Sequence, residues 1–515
     1  MKKENDPNVE DRVECQGSYG TIKYIGEVDG HSGTWLGVEW DDSDRGKHDG
    51  SVKNIEYFKA RSATSGSFVR PEKIELGQSI ISAITTRYGQ KDDETEAKHL
   101  QQQLLSTQQT MNAPFLQLVG FDKITDKQRK YNELHVINVR MQKINHLGKP
   151  REVMELCPNI WELDLSKNLI NSWSLILQLC SELKSLKILN VSENILTYPI
   201  EDGEERYESV TTLICGSMKL NWEGLLKMTR HFPNLEEFIA PKNNVMNLDI
   251  GDSDLQKLKI LHIDQNDIGS WSEICKLGHL PDLELLNVES TGIKEIRFPE
   301  EGKSKLFRNL KMLYLKENFI NDWESVGELN KLENLIDLRL IKNPIFEHNT
   351  YDTCAQYIIA RIANLMVLDG QIISEERKGA EYDYLRINGI EWLKFKDDDD
   401  TRADFLRRFN RYQELVKKYG ELEESELKVQ SNIIQVSLIN VNLVYEDRVI
   451  SKKLPPTILV QKLIMLTQKL FQLSERPTLI YESALHDNIK IELADECKEL
   501  GVYSIQNDDR IVVRV

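Results

Sequence analysis

One short phrase recurs nine times between residues 134 and 343, and no other feature of the 515-residue chain narrows its fold as far. The segments LHVINVRMQ, IWELDLSKN, LKILNVSEN, VTTLICGSM, LEEFIAPKN, LKILHIDQN, LELLNVEST, LKMLYLKEN and LIDLRLIKN align so that an apolar residue stands fourth in each. Those residues are Ile137, Leu163, Leu189, Leu213, Phe238, Leu261, Leu286, Leu313 and Leu338, spaced 23 to 27 positions apart. A unit of that size cannot bury its apolar face alone, so neighbours must stack into a continuous core.

The spacing is that of leucine-rich repeats and predicts a curved α/β solenoid. Six units end in asparagine, at Asn168, Asn194, Asn243, Asn266, Asn318 and Asn343. An amide both donates and accepts, so these residues are expected to satisfy backbone groups where each strand ends. Trp173, Trp271 and Trp323 recur at equivalent positions and are expected in the core. The unit at 210–218 lacks the asparagine and should be the least regular. A cap is expected at 363–384, because the last unit would otherwise expose its core.

The flanking sequence has a different texture. Glycine-separated short runs such as GTIKYIGEV, TWLGVEW and GSFVRPEKI predict a small twisted β-barrel over 8–77. A polar stretch over 78–115 reads as a linker, and the solenoid with its cap then occupies 116–384. Residues 385–430 form a charged, helix-prone connector whose KDDDDTR run reads as solvated surface. Over 431–515 the order strand, strand, helix, strand, strand looks like an α+β ubiquitin-like β-grasp. The predicted fold class is therefore multidomain: small β-barrel, leucine-rich repeat solenoid and β-grasp. The chain stops at Val515 without Gly-Gly, so it is not expected to be attached to other proteins through its own end.

A net charge of −17 argues against nucleic acid or an anionic membrane as partner. No run of about 18 apolar residues offers a membrane span, and the MKKENDPNVEDR start lacks the apolar stretch of a secretory signal. Seven scattered cysteines without a C-x-x-C pair predict buried, reduced thiols, no metal site and a cytoplasmic setting. No Walker loop, G-x-S-x-G, H-E-x-x-H or kinase motif is present, so neither an enzyme nor a bound cofactor is expected. His135, His146 and His231 are isolated and read as surface or packing residues. Against the acidic background, residues 45–73 carry seven basic and three acidic groups.

Within that basic segment, DRGKHDGSV (44–52) sets Lys47 and His48 between Gly46 and Gly50. Taken with GTIKYIG, WLGVEWD, GKHDG, the YF pair and GSFVRP, it resembles the CAP-Gly domain family over essentially that domain's full length. His48 stands where most members have asparagine, and Ala60 where cysteine is frequent. The resemblance implies recognition of acidic peptides that end in a free carboxylate on an aromatic residue. Trp35 and Phe68 would line the slot for the terminal ring, Lys47 would offer its ammonium to the carboxylate, and His48 a ring N–H. Gly46 and Gly50 would allow positive φ and close approach of a ligand backbone. Arg70 would face acidic residues upstream, and Asp49 would hold the turn. Titration of His48 would make binding mildly pH-sensitive.

The order CAP-Gly, leucine-rich repeats, ubiquitin-like domain resembles the tubulin-folding cofactor E family across nearly all of the chain. LVGFDKI, CPNIWELDLSKNLINSW, LNVSEN, RKGAEYDY and LVYEDRVISKKLP strengthen the likeness. It implies a chaperone for α-tubulin and the αβ-tubulin dimer that acts with cofactors B, C and D and a small GTPase in dimer assembly and dissociation, in association with the cytoskeleton. Strand positions Glu162, Asp164, Asn190, Asp264 and Asn287 are the candidates for concave-face contacts with the tubulin body. Two alternatives are a microtubule-end adaptor using the same slot on polymer, and a tubulin adaptor whose ubiquitin-like domain addresses the proteasome.

Overall fold

The amino-terminal region is an antiparallel sheet ordered β1 (Arg12–Cys15), β2 (Ser18–Val28), β3 (His31–Trp40) and β6 (Gly66–Val69), with a small β4 (Ser51–Val52) and β5 (Ile55–Glu56) hairpin between β3 and β6. The computed structural model describes residues 7–89, 130–196, 205–300, 302–347, 349–373, 376–423, 426–427, 439–446, 448–455, 457–482, 490–494, 496, 498–503, 505 and 509–514. The chain divides into two compact units, residues 1–386 with 391–423 and residues 387–390 with 424–515. The expected small β-barrel is, in the described residues, an open four-stranded sheet. Its edge strands are only four residues long, and the outer edge of β1 is covered by Glu75, which exchanges two backbone hydrogen bonds with Glu14 at 3.0 and 2.8 Å. Val13, Ile22, Leu36, Val38 and Trp40 form its core.

Residues 78–89 are not the start of a linker. Gln78–Ser79 form β7, which continues directly into helix α1 (Ile80–Gly89). α1 buries Ile80, Ala83 and Ile84 against the first repeat, because an apolar i, i+3, i+4 face must be covered. The remainder of the expected linker, 90–115, lies outside the described residues, as does 116–129 at the expected start of the solenoid.

All nine repeat midpoints fall at the centre of three-residue parallel strands. These are β8 (Val136–Asn138), β10 (Glu162–Asp164), β11 (Ile188–Asn190), β12 (Thr212–Ile214), β13 (Glu237–Ile239), β14 (Ile260–His262), β15 (Leu285–Asn287), β16 (Met312–Tyr314) and β17 (Asp337–Arg339). They pair in register, Ile137 beside Leu163 beside Leu189 and onward to Leu338. Each midpoint side chain is fully buried, a burial worth about 1.5–3 kcal/mol apiece. β18 (Val367–Leu368) continues the parallel order, and antiparallel β19 (Gln371–Ile372) ends it. Short β9 (Ile144–His146) lies apart from this sheet and pairs with β7.

On the opposite side lie α2 (Glu152–Leu156), α3 (Trp173–Glu182), α4 (Trp222–Thr229), α5 (Trp271–Lys276) and α6 (Trp323–Glu328). Tryptophan opens four of them. Trp173 and Trp271 are buried as expected, and Trp222, in the unit expected to be least regular, is buried with them. Trp323 is only partly buried and packs edge-on to Tyr357. The asparagines act as expected: Asn194 donates to the carbonyls of Leu165 and Val191 at 3.0 and 2.9 Å and accepts the Asn168 N–H at 3.0 Å.

The carboxyl-terminal connector of this unit is packed rather than strung out. After α7 (Tyr351–Arg361), α8 (Glu376–Phe395), α9 (Asp399–Arg408) and α10 (Tyr412–Tyr419) share a core of Ala360, Tyr384, Leu385, Phe405, Tyr412 and Leu415. Buried Glu381 accepts from Arg411 at 3.0 Å and Tyr419 at 2.7 Å. Asp398, inside the acidic run, caps α9 by accepting the Thr401 N–H at 3.1 Å.

In the second unit a five-stranded sheet, ordered β21 (Arg448–Leu454), β20 (Ile439–Tyr445), β24 (Arg510–Arg514), β22 (Thr478–Glu482) and β23 (Lys490–Glu492), packs on α11 (Val460–Phe471) through Val441, Leu443, Leu463, Ile511 and Val513. Of the seven cysteines, Cys497 lies outside the described residues; the other six are free, and five of them are buried.

Candidate peptide-binding site

Strand register assembles the candidate site. β2 pairs Tyr24 with Gly37 and Gly26 with Trp35, while β6 pairs Phe68 with Gly37. Alternation along a strand then places Tyr24, Trp35, Phe68 and Arg70 on one face of the sheet. Phe68 is the hub of an aromatic cluster. Its ring centre lies 5.1 Å from His48, 5.3 Å from Tyr57, 5.7 Å from Phe58 and 6.1 Å from Tyr24. The Tyr57 and Phe58 contacts are edge-to-face, the arrangement ring quadrupoles favour. Tyr24, Tyr57 and Phe58 were not among the residues expected at the site. The YF pair was visible in the sequence, but nothing there placed it beside Phe68.

The 46–50 turn abuts this cluster. The His48 backbone pairs with Gly66 in both directions, N–H to O at 3.2 Å and the reverse at 2.8 Å. His48 Nδ1 accepts the Gly50 N–H at 3.0 Å. A ring nitrogen that accepts carries no proton, so the neutral ring presents its N–H at Nε2. Asp49 holds the turn as expected, accepting the Ser51 N–H at 3.0 Å. The Lys47 backbone N–H is tied to Gly66 O at 2.7 Å while its side chain is exposed, with no ion-pair partner among the described residues.

Both glycines are needed, but for contacts within the chain. Gly50 has φ +103°, and a Cβ there would lie 1.8 Å from the Phe58 carbonyl oxygen. Gly46 does not have positive φ; a Cβ there would meet Thr64 O and Gly66 O at 2.4 and 2.5 Å. The close approach these residues permit is to the Thr64–Gly66 and Phe58 backbone, where a ligand backbone had been expected.

Trp35 and Arg70 form a second pair on the same face. The Arg70 guanidinium lies 3.8 Å over the Trp35 ring, and its terminal nitrogens donate to Ser32 O at 2.8 Å and Thr34 O at 3.2 Å. Arg70 was expected to face a ligand's acidic residues; two of its donors are engaged by β3 carbonyls, and its charge covers the indole. The Trp35 indole N–H is buried and has no hydrogen-bond partner among the described residues.

The expected pH sensitivity is also displaced. Burial disfavours the charged imidazole and holds the His48 pKa below its ordinary 6.5, with Asp49 opposing only in part. The folded pKa lies below the unfolded one, so the turn keeps its full stability above pH 6.5 and loses it as pH falls below that value. An NMR titration should therefore find a His48 midpoint below 6.5; a midpoint above 6.5 would contradict this geometry.

On the solenoid sheet, Glu162, Asp164, Asn190 and Asn287 are partly exposed and flank the buried midpoints. Asp264 does not lie on a strand; β14 ends at His262, which takes the outward position. These polar residues are partly occupied. Asp164 accepts from Asn138 at 3.1 Å and from the Ser166 N–H at 2.8 Å, and the Asn287 amide lies 3.1 Å from His262 Nδ1 and 3.2 Å from Asp264. Sequence reading missed the half-exposed aliphatic residues Ile214, Ile239 and Ile260 beside them.

The CAP-Gly domain family model matches residues 9–74. Across the whole chain, Tubulin-specific chaperone E of Bos taurus is 34% identical over 521 residues, covering 98% of both chains. Tubulin-specific chaperone E of Homo sapiens is 35% identical over 520 residues, again covering 98% of each. Among solved structures, the C-terminal ubiquitin-like domain of mouse tubulin-specific chaperone e is 29% identical, covers 16% of this chain and 92% of its own, and has a TM-score of 0.15.

Proposed function

We propose that this chain, which belongs to the tubulin-specific chaperone E family, is a non-enzymatic tubulin chaperone that holds the acidic α-tubulin tail in its CAP-Gly site. The outward face of the repeat sheet receives the tubulin body. The chain acts in the cytoplasm, associated with the cytoskeleton, with cofactors B, C and D and a small GTPase, in assembling and dissociating the αβ dimer.

One observation carries the tail reading: an exposed Lys47 ammonium, with no ion-pair partner among the described residues, stands in the turn that also sets the His48 ring, its proton on Nε2, 5.1 Å from Phe68. A C-terminal aromatic residue offers complementary chemistry. Its carboxylate takes a charge-assisted bond from Lys47 and a bond from His48, and its ring packs on the cluster. The acidic residues before it meet the locally basic 45–73 surface.

Lys47→Ala tests the reading. Loss of a hydrogen bond to a charged group costs about 1.5–3 kcal/mol, so affinity for an acidic tyrosine-ended peptide should fall roughly tenfold to a hundredfold in an anisotropy titration. Unchanged affinity would exclude this site as the carboxylate pocket.

A further inference from the structure

We propose that Lys143 is a positioning residue that clasps the CAP-Gly sheet to the first repeat, so that the peptide slot and the repeat sheet act as one rigid two-site clamp. The clamp rests on the reading that both surfaces serve one tubulin partner; the clasp itself does not.

Lys143 sits between β8 and β9 with φ +55°. Its ammonium reaches Glu14 at 2.9 Å and also pairs with Glu75. Glu14 belongs to β1, and Glu75 covers the edge of β1, so one solenoid cation ties both members of that bridge. Glu14 is 6% exposed, and its other carboxylate oxygen accepts the Gly17 N–H. Burial alone would raise its pKa; the bonds from Lys143 and Gly17 outweigh burial and hold it below the ordinary 4.5. The Glu14 end of the pair is buried, while Lys143 is partly exposed and Glu75 exposed, so the Glu14 bond is the better shielded of the two.

Independent bonds cross the same seam. The Gln78 N–H donates to Lys143 O at 2.9 Å, and its side-chain amide to Gln142 O at 2.8 Å. The Asn145 amide donates to Leu76 O, and that of Asn171 to Glu10 O at 3.1 Å. Gly77, at φ +100°, has no room for a Cβ, which would lie 2.3 Å from Lys143 O. Immediately beyond, α1 is embedded in the solenoid core. From β6 to α1 the chain therefore has no slack in which the CAP-Gly sheet could swing. Two weak sites on a rigid frame reinforce each other only when a partner's tail and body match their spacing. The clasp therefore makes that spacing a specificity determinant.

The test compares wild type, Lys143→Ala and Lys143→Arg as full-length chains. A merely structural residue would change stability alone; a positioning residue separates two affinities. In Lys143→Ala, affinity for the isolated tail peptide should stay at the wild-type value, while affinity for αβ-tubulin falls about tenfold or more, with Lys143→Arg restoring it. Hydrogen exchange should quicken at the Gln78 amide while Val13, Ile22, Leu36 and Val38 stay protected. Should Lys143→Ala also expose that core, Asn145→Ala removes an independent bond across the seam and should show the same split. Wild-type affinity for αβ-tubulin in both alanine variants, or wild-type Gln78 exchanging as fast as unstructured chain, overturns the proposal. If wild type binds no tail peptide, the tail reading fails, and exchange at Gln78 still decides the clasp.

Discussion

Gly50→Ala should abolish binding of an acidic tail peptide and loosen the CAP-Gly turn, the largest effect expected from any single methyl group in the site. A Cβ would stand 1.8 Å from the Phe58 carbonyl oxygen, on backbone at φ +103°. Backbone strain of that kind costs roughly 1–3 kcal/mol before any clash is counted, so about 3 kcal/mol or more is a reasonable total. Neither neighbour can give way cheaply. Moving Gly50 breaks its N–H bond to His48 Nδ1, which sets the tautomer that leaves the ring proton on Nε2. Moving Phe58 disturbs a ring packed on Phe68. Anisotropy titration together with hydrogen exchange at His48 and Gly66 measures both effects. A variant that binds peptide as wild type does would show that the turn is not part of the recognition surface.

The second large effect belongs to the solenoid. Asn243→Ala should destabilise the central repeats by at least about 3 kcal/mol, because it strands several buried groups that cost roughly 1–3 kcal/mol each. The preceding unit has Met218 where its asparagine would be, and Asn243 serves both units. Its carbonyl accepts from the N–H of Met218 and Leu220 at 3.0 and 3.2 Å, and its amide donates to Cys215 O and Ala240 O at 2.9 and 3.2 Å. Repeats touch only their neighbours, so no distant contact compensates. Asn244→Ala, at the adjacent exposed position, removes only one exposed bond, to Lys219 O at 3.0 Å, and should cost no more than about 1 kcal/mol. Thermal unfolding of the two variants decides the matter, and equal midpoints would contradict the ladder's role.

The sequence made the solenoid legible because its pattern is local and repeated. Each midpoint leucine or phenylalanine faces the same environment one period on, so the alignment alone located the buried column from Ile137 to Leu338. Lys47, His48 and Phe68 became candidates through the CAP-Gly resemblance, since a glycine-bracketed turn alone points to no ligand. What the sequence concealed depends on contacts across space. Ile80 and Ile84 look like apolar residues beside a polar stretch until the first repeat is there to receive them. Gly46 and Gly50 show that backbone must come close, but not which backbone. Arg70 carries a free charge in sequence and a stacked, bonded one in the structure. Asp264 lies two residues past its strand, and the repeat alignment itself puts His262 at the position of Asn190 and Asn287. Lys143 gave no signal at all, because Glu14 and Glu75 lie far from it along the chain.

The most direct measurement is affinity for αβ-tubulin carrying its α-subunit tail against the same dimer with that tail removed, under identical salt. If the tail slot and repeat sheet grip together, removing the tail should weaken binding by about a hundredfold or more, and the isolated tail peptide should compete. Equal affinity for the two dimers would contradict the account.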